Sequence, residues 1–258
     1  ARLKKRRSLF LWLTGLLLMA MGLWYALSLP ASLFEKPYST VLEDRDGLLL
    51  GARIAPDGQW RFPPSDSLPR RFTTALIAFE DRHFYRHPGV NPFALARAMK
   101  QNLQQRRIVS GGSTLSMQLI RLLHGPAPRN LPRKLYEMLL ATRLELRYSK
   151  DEILRLYAAH APFGGNVVGL EAASWRYFGH ASGSLSWAEA ACLAVLPNAP
   201  SLVFPGRQQE LLLRKRNELL QYLAERGHLD ETGLKLALAE PLPGAPHPLP
   251  MHAPHLLD

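Results

Sequence analysis

Residues 72–89 read FTTALIAFEDRHFYRHPG, a stretch that carries both the helical pattern and the first candidate site residue. Apolar residues recur there at intervals of three and four positions, which predicts an amphipathic helix. They are Phe72, Ala75, Leu76 and Phe79. The sequence His87-Pro88-Gly89 ends the run. Glu80 follows the last apolar position, where partial burial would raise the pKa of its carboxyl group and suit a general acid or base. A helix-end carboxylate paired with Arg82 or Arg86 is the alternative.

Helical patterns continue through most of the chain. They cover residues 91–106, 114–123, 132–147, 150–159, 167–177, 186–195 and 207–226, with glycine and proline clusters between them. Residues 35–66 instead favour short strands and turns, with strands expected from Ser39 to Leu42 and from Leu48 to Ile54. Residues 241–258 hold six prolines and are typical of an extended segment rather than a packed element. The sequence therefore predicts a mainly α fold with a small β-containing part.

The composition limits the class of protein. The 258 residues suit one domain with appendages or two small domains, and the 47% hydrophobic content excludes a disordered polyelectrolyte. The single cysteine, Cys192, excludes a disulfide scaffold and a zinc site built from several thiolates. A net charge of +11 is compatible with nucleic acid, an anionic membrane surface or a phosphorylated substrate as partner.

The N-terminus predicts a membrane anchor. Residues 1–7 include five cations, and no charged residue occurs from Ser8 to Phe34. Residues 8–29 are long enough to cross a bilayer core, which takes about 20 apolar residues. A cleaved signal peptide or a buried core helix is the alternative. Because the basic flank precedes the span, the positive-inside rule places residues 1–7 in the cytoplasm and the remainder outside. That placement argues against nucleic acid and favours lipid-linked or cell-surface anions as partners.

A second motif precedes the helix predicted over residues 114–123. In Gly111-Gly112-Ser113-Thr114 two glycines and two hydroxyl side chains come before the helical run, an arrangement whose free amides can hold an anion. Thr114, Gln118 and Arg121 then form a polar stripe on one face of the helix. Ordinary helix capping is the alternative interpretation.

A basic cluster opens the helix predicted over residues 132–147. Arg133 and Glu137 are four residues apart and share a face, and Lys134 follows Arg133. Clustered cations with a carboxylate one turn on suit a phosphate-bearing group and a divalent ion, whereas the alternative is a surface ion pair. The region from Tyr157 to Gly179, dense in small residues, is interpreted as mostly structural.

In this order the motifs resemble those of the peptidoglycan glycosyltransferases of glycosyltransferase family 51, which include the N-terminal domains of class A penicillin-binding proteins and the monofunctional transglycosylases. The family pattern EDxxFxxHxG is matched by Glu80, Asp81, Phe84, His87 and Gly89. The pattern GxSTxxxQ is matched by Gly111, Ser113, Thr114 and Gln118, and RKxxE by Arg133, Lys134 and Glu137. A further series of family positions lies between residues 169 and 200, and the resemblance spans about residues 35–258.

The resemblance implies a lysozyme-like glycosyltransferase domain on the periplasmic face of the bacterial inner membrane, with lipid II, undecaprenyl-pyrophosphate-linked glycan and cell-wall synthesis proteins as partners. It implies that Glu80 is the base for the acceptor hydroxyl, and that Glu137 holds the pyrophosphate directly or through Mg²⁺ or Mn²⁺. The implied substrate-binding residues are Asp81, Phe84, His87, Ser113, Thr114, Gln118, Arg121, Arg133 and Lys134.

The predicted organisation is a cytoplasmic basic tail (residues 1–7), a transmembrane helix (8–29), a linker with short strands (30–68), the glycosyltransferase domain (69–240) and a proline-rich exit segment towards a C-terminal domain (241–258). The chain departs from the family pattern at Arg121-Leu122, where Lys-Asn is usual, and at Arg155 and Ala159, where Glu and Asn are usual.

Two other functions fit parts of the same pattern. One is a lysozyme-like lytic enzyme acting on finished glycan, and the other is an inactive membrane-anchored scaffold. A glycosidase needs two catalytic carboxylates, whereas pyrophosphate is a good leaving group that needs cations more than a proton. One embedded carboxylate with a basic cluster therefore favours glycosyl transfer.

Overall fold

The computed structural model describes residues 2–65, 67–106, 111–125, 128, 130–198, 200 and 204–257, with side chains from Phe10 onward. The helices are α1 (Arg2–Leu27), α2 (Arg70–Glu80), α3 (Pro92–Gln105), α4 (Leu115–His124), α5 (Leu131–Arg147), α6 (Lys150–His160), α7 (Leu170–Phe178), α8 (Trp187–Val195), α9 (Gln209–Glu225) and α10 (Glu231–Ala239). The strands are β1 (Thr40–Glu43), β2 (Leu49–Arg53), β3 (Trp60–Arg61), β4 (Pro162–Gly164) and β5 (Val167–Val168). The predicted mainly α fold is confirmed.

Two helices differ from the prediction. Residues 167–168 were expected to begin a helix, but they form β5, and α7 begins only after Gly169, whose φ of +87° breaks the helical path. Helix α10 was not predicted at all, although Asp230 caps it by accepting a hydrogen bond from the Gly233 amide. Its short apolar pattern gave too weak a periodic signal.

The core is built around α8. Alanines make up much of this helix, so α2 and α9 can pack closely against it, and every residue from Ala190 to Val195 is buried. Arg216 of α9 is also buried, and its guanidinium donates to the Glu240 carbonyl at 2.6 Å. The hydrogen bond satisfies a cation that would otherwise be costly to bury.

Two small sheets join the linker and the C-terminal segment to the helices. Strands β1 and β2 form an antiparallel hairpin, and β5 lies between β3 and β4, with β3 parallel to it. The segment 241–257 is extended apart from one short 3-10 turn, but it packs on the domain, which differs from the prediction. Met251 pairs with Gly51 of β2, and the His247 amide donates to the Arg176 carbonyl of α7.

Helix α1 is an apolar helix that projects from the domain. Residues Phe10–Leu27 have a mean hydropathy of 1.8 and none of that stretch is buried, so the helix is long and apolar enough to cross a membrane. At its C-terminal end the Tyr25 hydroxyl lies 2.8 Å from Thr142 Oγ1 of α5. Arg143 and Arg147 of α5 donate to carbonyl groups at the end of α1 and just beyond it, so α5 is fixed to the base of the anchor.

Candidate active site

A cleft of about 970 Å³ opens between the C-terminal end of α2, the N-terminal half of α4, α3 and the turn at residues 196–198. It is lined by six of the predicted site residues: Glu80, Asp81, Ser113, Thr114, Gln118 and Arg121. The remaining five do not line it: Phe84, His87, Arg133, Lys134 and Glu137. The last three stand behind Arg121 on α5.

Glu80 ends α2 and is half-buried in the cleft wall. Burial raises the pKa of its carboxyl group, and Asp81 adds to the rise, while Gln118, Asn198 and Lys215 oppose it. Gln118 Nε2 donates to Oε2 at 2.7 Å, whereas the buried Oε1 has no hydrogen-bond partner among the described residues. Gln118 therefore holds one oxygen of the carboxylate, and the other is buried without a hydrogen bond from the described residues.

Among the described residues, no ion pair joins Glu80 to Arg82 or to Arg86, the alternative stated above. Arg82 donates to the Ala78 carbonyl at 3.2 Å, and its guanidinium lies 4.1 Å from the centre of the Tyr222 ring. Both contacts direct the arginine away from the carboxylate, so Glu80 is not neutralised by its own helix end.

Tyr157 is a site residue that the sequence did not reveal. It is buried on α6, and its hydroxyl donates to Gln118 Oε1 at 3.1 Å, one hydrogen bond from Glu80. Its apolar spacing on an amphipathic helix was indistinguishable from that of an ordinary core tyrosine. The usable signal was chemical, because a buried tyrosine hydroxyl requires a polar partner.

The start of α4 combines capping with the cleft wall. Thr114 is the N-cap, accepting from the Met117 amide at 3.2 Å and donating to the Gly89 carbonyl at 2.6 Å. Thr114 is buried, so ordinary capping, the alternative stated above, describes its hydroxyl. Ser113 stands nearer the cations, with its Oγ accepting from Arg121 Nη2 at 3.4 Å.

Arg121 and Glu137 form a bidentate ion pair. The Arg121 guanidinium donates to the two Glu137 oxygens at 3.1 and 2.7 Å. The Glu137 side chain is 4% exposed and the Arg121 side chain 31%, so the cation faces the cleft and the carboxylate lies behind it. Glu137 was predicted to hold the pyrophosphate with Arg133 and Lys134, directly or through a metal ion, and that stays a prediction. In the structure its two oxygens accept hydrogen bonds from Arg121.

Arg133 and Lys134 extend the basic cluster along α5. Arg133 Nε lies 3.6 Å from Glu137 Oε1, and two buried guanidinium nitrogens of Arg133, Nε and Nη2, have no hydrogen-bond acceptor among the described residues. Lys134 Nζ donates to the Gly111 carbonyl at 2.5 Å, which ties α5 to the glycine turn before α4. The unpaired donors of Arg133 indicate that the cluster can accept an added anion.

The turn after Glu80 is held by residues that were predicted to bind substrate. Both Asp81 oxygens lie within 3.1 Å of His87 Nε2, and Oδ2 also accepts from the Leu115 amide. Phe84 is fully buried in the core. In this structure Phe84 and His87 do not reach the cleft, and with Asp81 they fix the turn against α4.

Gly89 closes the same turn. Its φ is +91°, and an added Cβ would overlap the Ala141 carbonyl of α5, so only glycine allows this close approach. A buried ion pair between Lys150 and Glu145, at 2.6 Å, supports the turn from the other side because Lys150 also donates to the His87 carbonyl at 2.7 Å. This pair was not predicted from the sequence.

The residues around Glu137 do not fit a resident metal site. Both oxygens of Glu137 already accept hydrogen bonds from Arg121, and among the described residues no group of three or more His, Cys, Asp or Glu side chains could hold a metal ion. Divalent hard cations require several oxygen ligands. Here cations supply the positive charge instead.

The cleft thus combines the Glu80 carboxylate with the Arg121 guanidinium, which Glu137 holds through two hydrogen bonds. A carboxylate and a fixed cation in one cleft are typical of a group-transfer site. The transglycosylase family model matches residues 51–224, and the chain belongs to the transglycosylase family.

Three curated relatives illustrate the membership. The chain is 43% identical over 226 residues to penicillin-binding protein 1C of Escherichia coli, covering 87% of this chain and 29% of that protein. Penicillin-binding protein 1A of Aquifex aeolicus is 37% identical over 80% of this chain and 28% of that protein. Penicillin-binding protein 1B of E. coli is 34% identical over 76% of this chain and 24% of that protein. The chain therefore spans less than a third of the length of these relatives.

Within the family, residues 161–166 and 253–255 predict a chain most like penicillin-binding protein 1C, and the 43% identity to that protein of E. coli agrees with this prediction. Among solved structures, penicillin-binding protein 1A from Haemophilus influenzae matches with a TM-score of 0.46 and 20% identity, over 87% of this chain and 23% of that chain.

Proposed function

We propose that the chain is a peptidoglycan glycosyltransferase that polymerises lipid II into glycan strands. The observation that supports this most is the pairing of Glu80, a half-buried carboxylate with an unpartnered oxygen, with the cation Arg121 in one cleft. Gln118 and Arg121 are three residues apart on α4, so the residue that contacts Glu80 and the cation share a helix face.

In the proposed reaction Glu80 acts as the general base. The C4 hydroxyl oxygen of the lipid II acceptor bonds to C1 of the growing glycan, its proton passes to the Glu80 carboxylate, and the C1–oxygen bond to undecaprenyl pyrophosphate breaks. Attack from the face opposite the leaving group inverts the α linkage to β. A carboxyl group with a raised pKa is a stronger base than an exposed one, which favours this proton transfer.

The leaving pyrophosphate would be stabilised by Arg121, with Arg133 and Lys134 close behind it. Charge develops on the pyrophosphate as the bond breaks, and fixed guanidinium donors lower the energy of that state. Glu137 contributes by holding Arg121 through two hydrogen bonds, which fixes the donors before the substrate arrives. Ser113 would complete the donor side of the cleft.

The lytic alternative is less well supported by the acidic residues of the cleft. A glycosidase uses a second carboxylate as acid or nucleophile. Within the described lining, Glu80 and Asp81 are the acidic side chains, and both oxygens of Asp81 are engaged by His87. One available carboxylate suits transfer to a good leaving group.

The predicted Mg²⁺ or Mn²⁺ finds no resident ligand set at Glu137, so the proposed steps do not pass through it. An ion that arrives bound to the pyrophosphate remains a prediction. Chelation with EDTA should then slow polymerisation, and added Mg²⁺ should restore it. An unchanged rate would remove the metal from the reaction.

We also propose that the anchor lies in the bacterial inner membrane with residues 1–7 cytoplasmic and the cleft periplasmic. The order of basic flank and span supports this orientation. Helix α3 adds apolar surface, since Phe93 is 86% exposed and Met99 and Leu103 are also exposed. Such side chains suit contact with lipid near the substrate. Proteins of cell-wall synthesis are candidate partners.

The test is incubation of the purified chain, in detergent, with labelled lipid II. Polymer formation that E80Q abolishes supports the proposal. Fragments released from preformed glycan would identify a lytic enzyme. The absence of both polymer and fragments would identify a scaffold. If E80Q forms polymer at the normal rate, Glu80 is not the base.

A further inference from the structure

Three helices meet at the side chain of Gln118. From α4 its Nε2 donates to Glu80 Oε2 of α2 at 2.7 Å, and its Oε1 accepts from the Tyr157 hydroxyl of α6 at 3.1 Å. Tyr157 and Glu80 thus contact the two ends of one amide. The predicted site does not include Tyr157, which lies between Arg155 and Ala159, two of the positions where the chain departs from the family pattern.

The chemistry of the three groups fixes the direction of these hydrogen bonds. An ionised carboxylate only accepts hydrogen bonds, so Gln118 must present its NH₂ group to Glu80. The amide oxygen then faces the other way, into buried surroundings, and requires a donor. Burial and the negative charge of Glu80 keep the pKa of Tyr157 well above its ordinary value, so the hydroxyl retains the proton that it donates.

We propose that Tyr157 is a positioning residue for the base: its hydroxyl holds the Gln118 amide in the orientation that donates to Glu80. This inference rests on the proposed role of Glu80. Without the hydroxyl, the amide oxygen is left unsatisfied whenever Gln118 donates to the carboxylate. The ionised state of Glu80 loses support, whereas a protonated Glu80 can donate to the amide oxygen after the amide rotates.

The other groups that face Glu80 are unaffected by removing the hydroxyl. Lys215 of α9 and Asn198 favour the carboxylate, and Asp81 opposes it. The charge of Arg121 on α4 acts on Tyr157 and lowers the pKa of its hydroxyl, against the larger effect of burial. Because these charges stay in place in a Tyr157→Phe variant, a change in the titration of Glu80 reports the amide alone.

The experiment measures the polymerisation rate of the full chain in detergent as a function of pH. In Tyr157→Phe we expect the acid limb of the profile to move to higher pH, with kcat on that limb falling about 3- to 10-fold, the cost of one hydrogen bond. The KM for lipid II should be unchanged, since Tyr157 acts through Gln118.

Tyr177→Phe is the matched control. Tyr177 is also buried, but its hydroxyl donates to the carbonyls of Phe163 and Gly164, at 3.0 and 3.4 Å. It should lower the thermal stability as Tyr157→Phe does and leave the pH profile as in the wild type. An equal displacement of the acid limb in both variants would overturn the proposal.

A second arm tests the route through the amide. In a Gln118→Leu background, Tyr157→Phe should cause no further loss, because the linking group is gone. An undiminished 3- to 10-fold loss there would contradict the positioning role.

A third arm separates this inference from the proposed function. The Glu80 carboxyl carbon, ¹³C-labelled and assigned with E80Q, is titrated by NMR without lipid II. A midpoint that rises in Tyr157→Phe alone supports the positioning role even if no variant polymerises lipid II, in which case only the proposed function fails. An active enzyme whose Glu80 midpoint is equal in wild type and Tyr157→Phe refutes the positioning role and leaves the function intact.

Discussion

Replacing Arg121 by methionine separates the structural and functional sides of the Arg121–Glu137 pair. The substitution leaves Glu137, 4% exposed in its side chain, with Arg133 Nε at 3.6 Å as its remaining cation. Removing one partner of a buried ion pair costs about 3–5 kcal/mol, and we expect the lower figure because Arg133 remains. A loss of about 3 kcal/mol corresponds to a fall in Tm of about 6–12 °C in a domain of this size.

The partner substitution and the double variant complete the cycle. Glu137→Met should destabilise less, since the Arg121 side chain is 31% exposed and can return to water. The double variant replaces the pair with apolar side chains and should recover most of the stability. Its polymerisation should nevertheless remain about 100-fold below wild type, the loss expected when a donor to the developing charge is removed.

The assays are thermal unfolding in detergent followed by circular dichroism and polymerisation of labelled lipid II. R121M and the double variant should differ in Tm and agree in activity. A double variant as unstable as R121M would show that the buried carboxylate is not the source of the destabilisation. A double variant that polymerises at the wild-type rate would refute the role of Arg121 at the leaving group.

Three further predictions follow from burial and exposure. E80Q should raise the Tm at pH 8. The pKa of the Glu80 carboxyl group is higher in the folded than in the unfolded chain, so the stability that it contributes below its unfolded pKa is lost as the pH rises through its folded pKa. Equal Tm values for E80Q and wild type at pH 8 would contradict the burial of Glu80. Burial, with the charge of Arg61, lowers the pKa of His160 from 6.5 to about 4. The stability of the fold should therefore fall as the pH decreases from 6.5 to about 4. Thermal melts of H160F should lack this pH dependence. In a chain lacking residues 1–27, replacing Phe93 and Met99 by serine should weaken liposome co-sedimentation, whereas L236S, at an equally exposed leucine of α10, should not.

Most of the helices could be predicted from the sequence because its apolar periodicity is strong. The prediction of a helix over residues 132–147 differs from α5 by one residue at its start, and that of 150–159 differs from α6 by one residue at its end. The short strands β4 and β5 were not predicted because they have no such periodicity. Together they hold five residues, and they are defined by the pairing of β5 with β4 and with β3. Pairing of distant segments leaves no local periodic signal.

The sequence predicted which residues form the candidate site, but it did not predict which of their side chains contact each other. The family motifs pointed to Glu80 and Gln118, the polar stripe on the helix pointed to Arg121, and the structure brings all three to one cleft. The ion pair of Glu137 with Arg121 could not be predicted, because it depends on the packing of α5 against α4, which no spacing within one helix encodes. Tyr157 was missed for the same reason, as its partner lies 39 residues away.

The attachment of α1 to α5 has a consequence for how the bilayer acts on the enzyme. Arg143 and Arg147 of α5 donate hydrogen bonds to carbonyl groups at and just after the C-terminal end of α1. Arg133 lies near the other end of α5, about 21 Å from Arg147 at 1.5 Å per residue. A helix whose apolar length exceeds the local hydrocarbon thickness tilts to reduce the mismatch. Since the side chains of Tyr25, Arg143 and Arg147 join α5 to the end of α1 and the residues just after it, we expect such a tilt to move the basic cluster of Arg133 and Lys134. We therefore expect the activity to depend on membrane thickness, which the acyl chains of the lipids set.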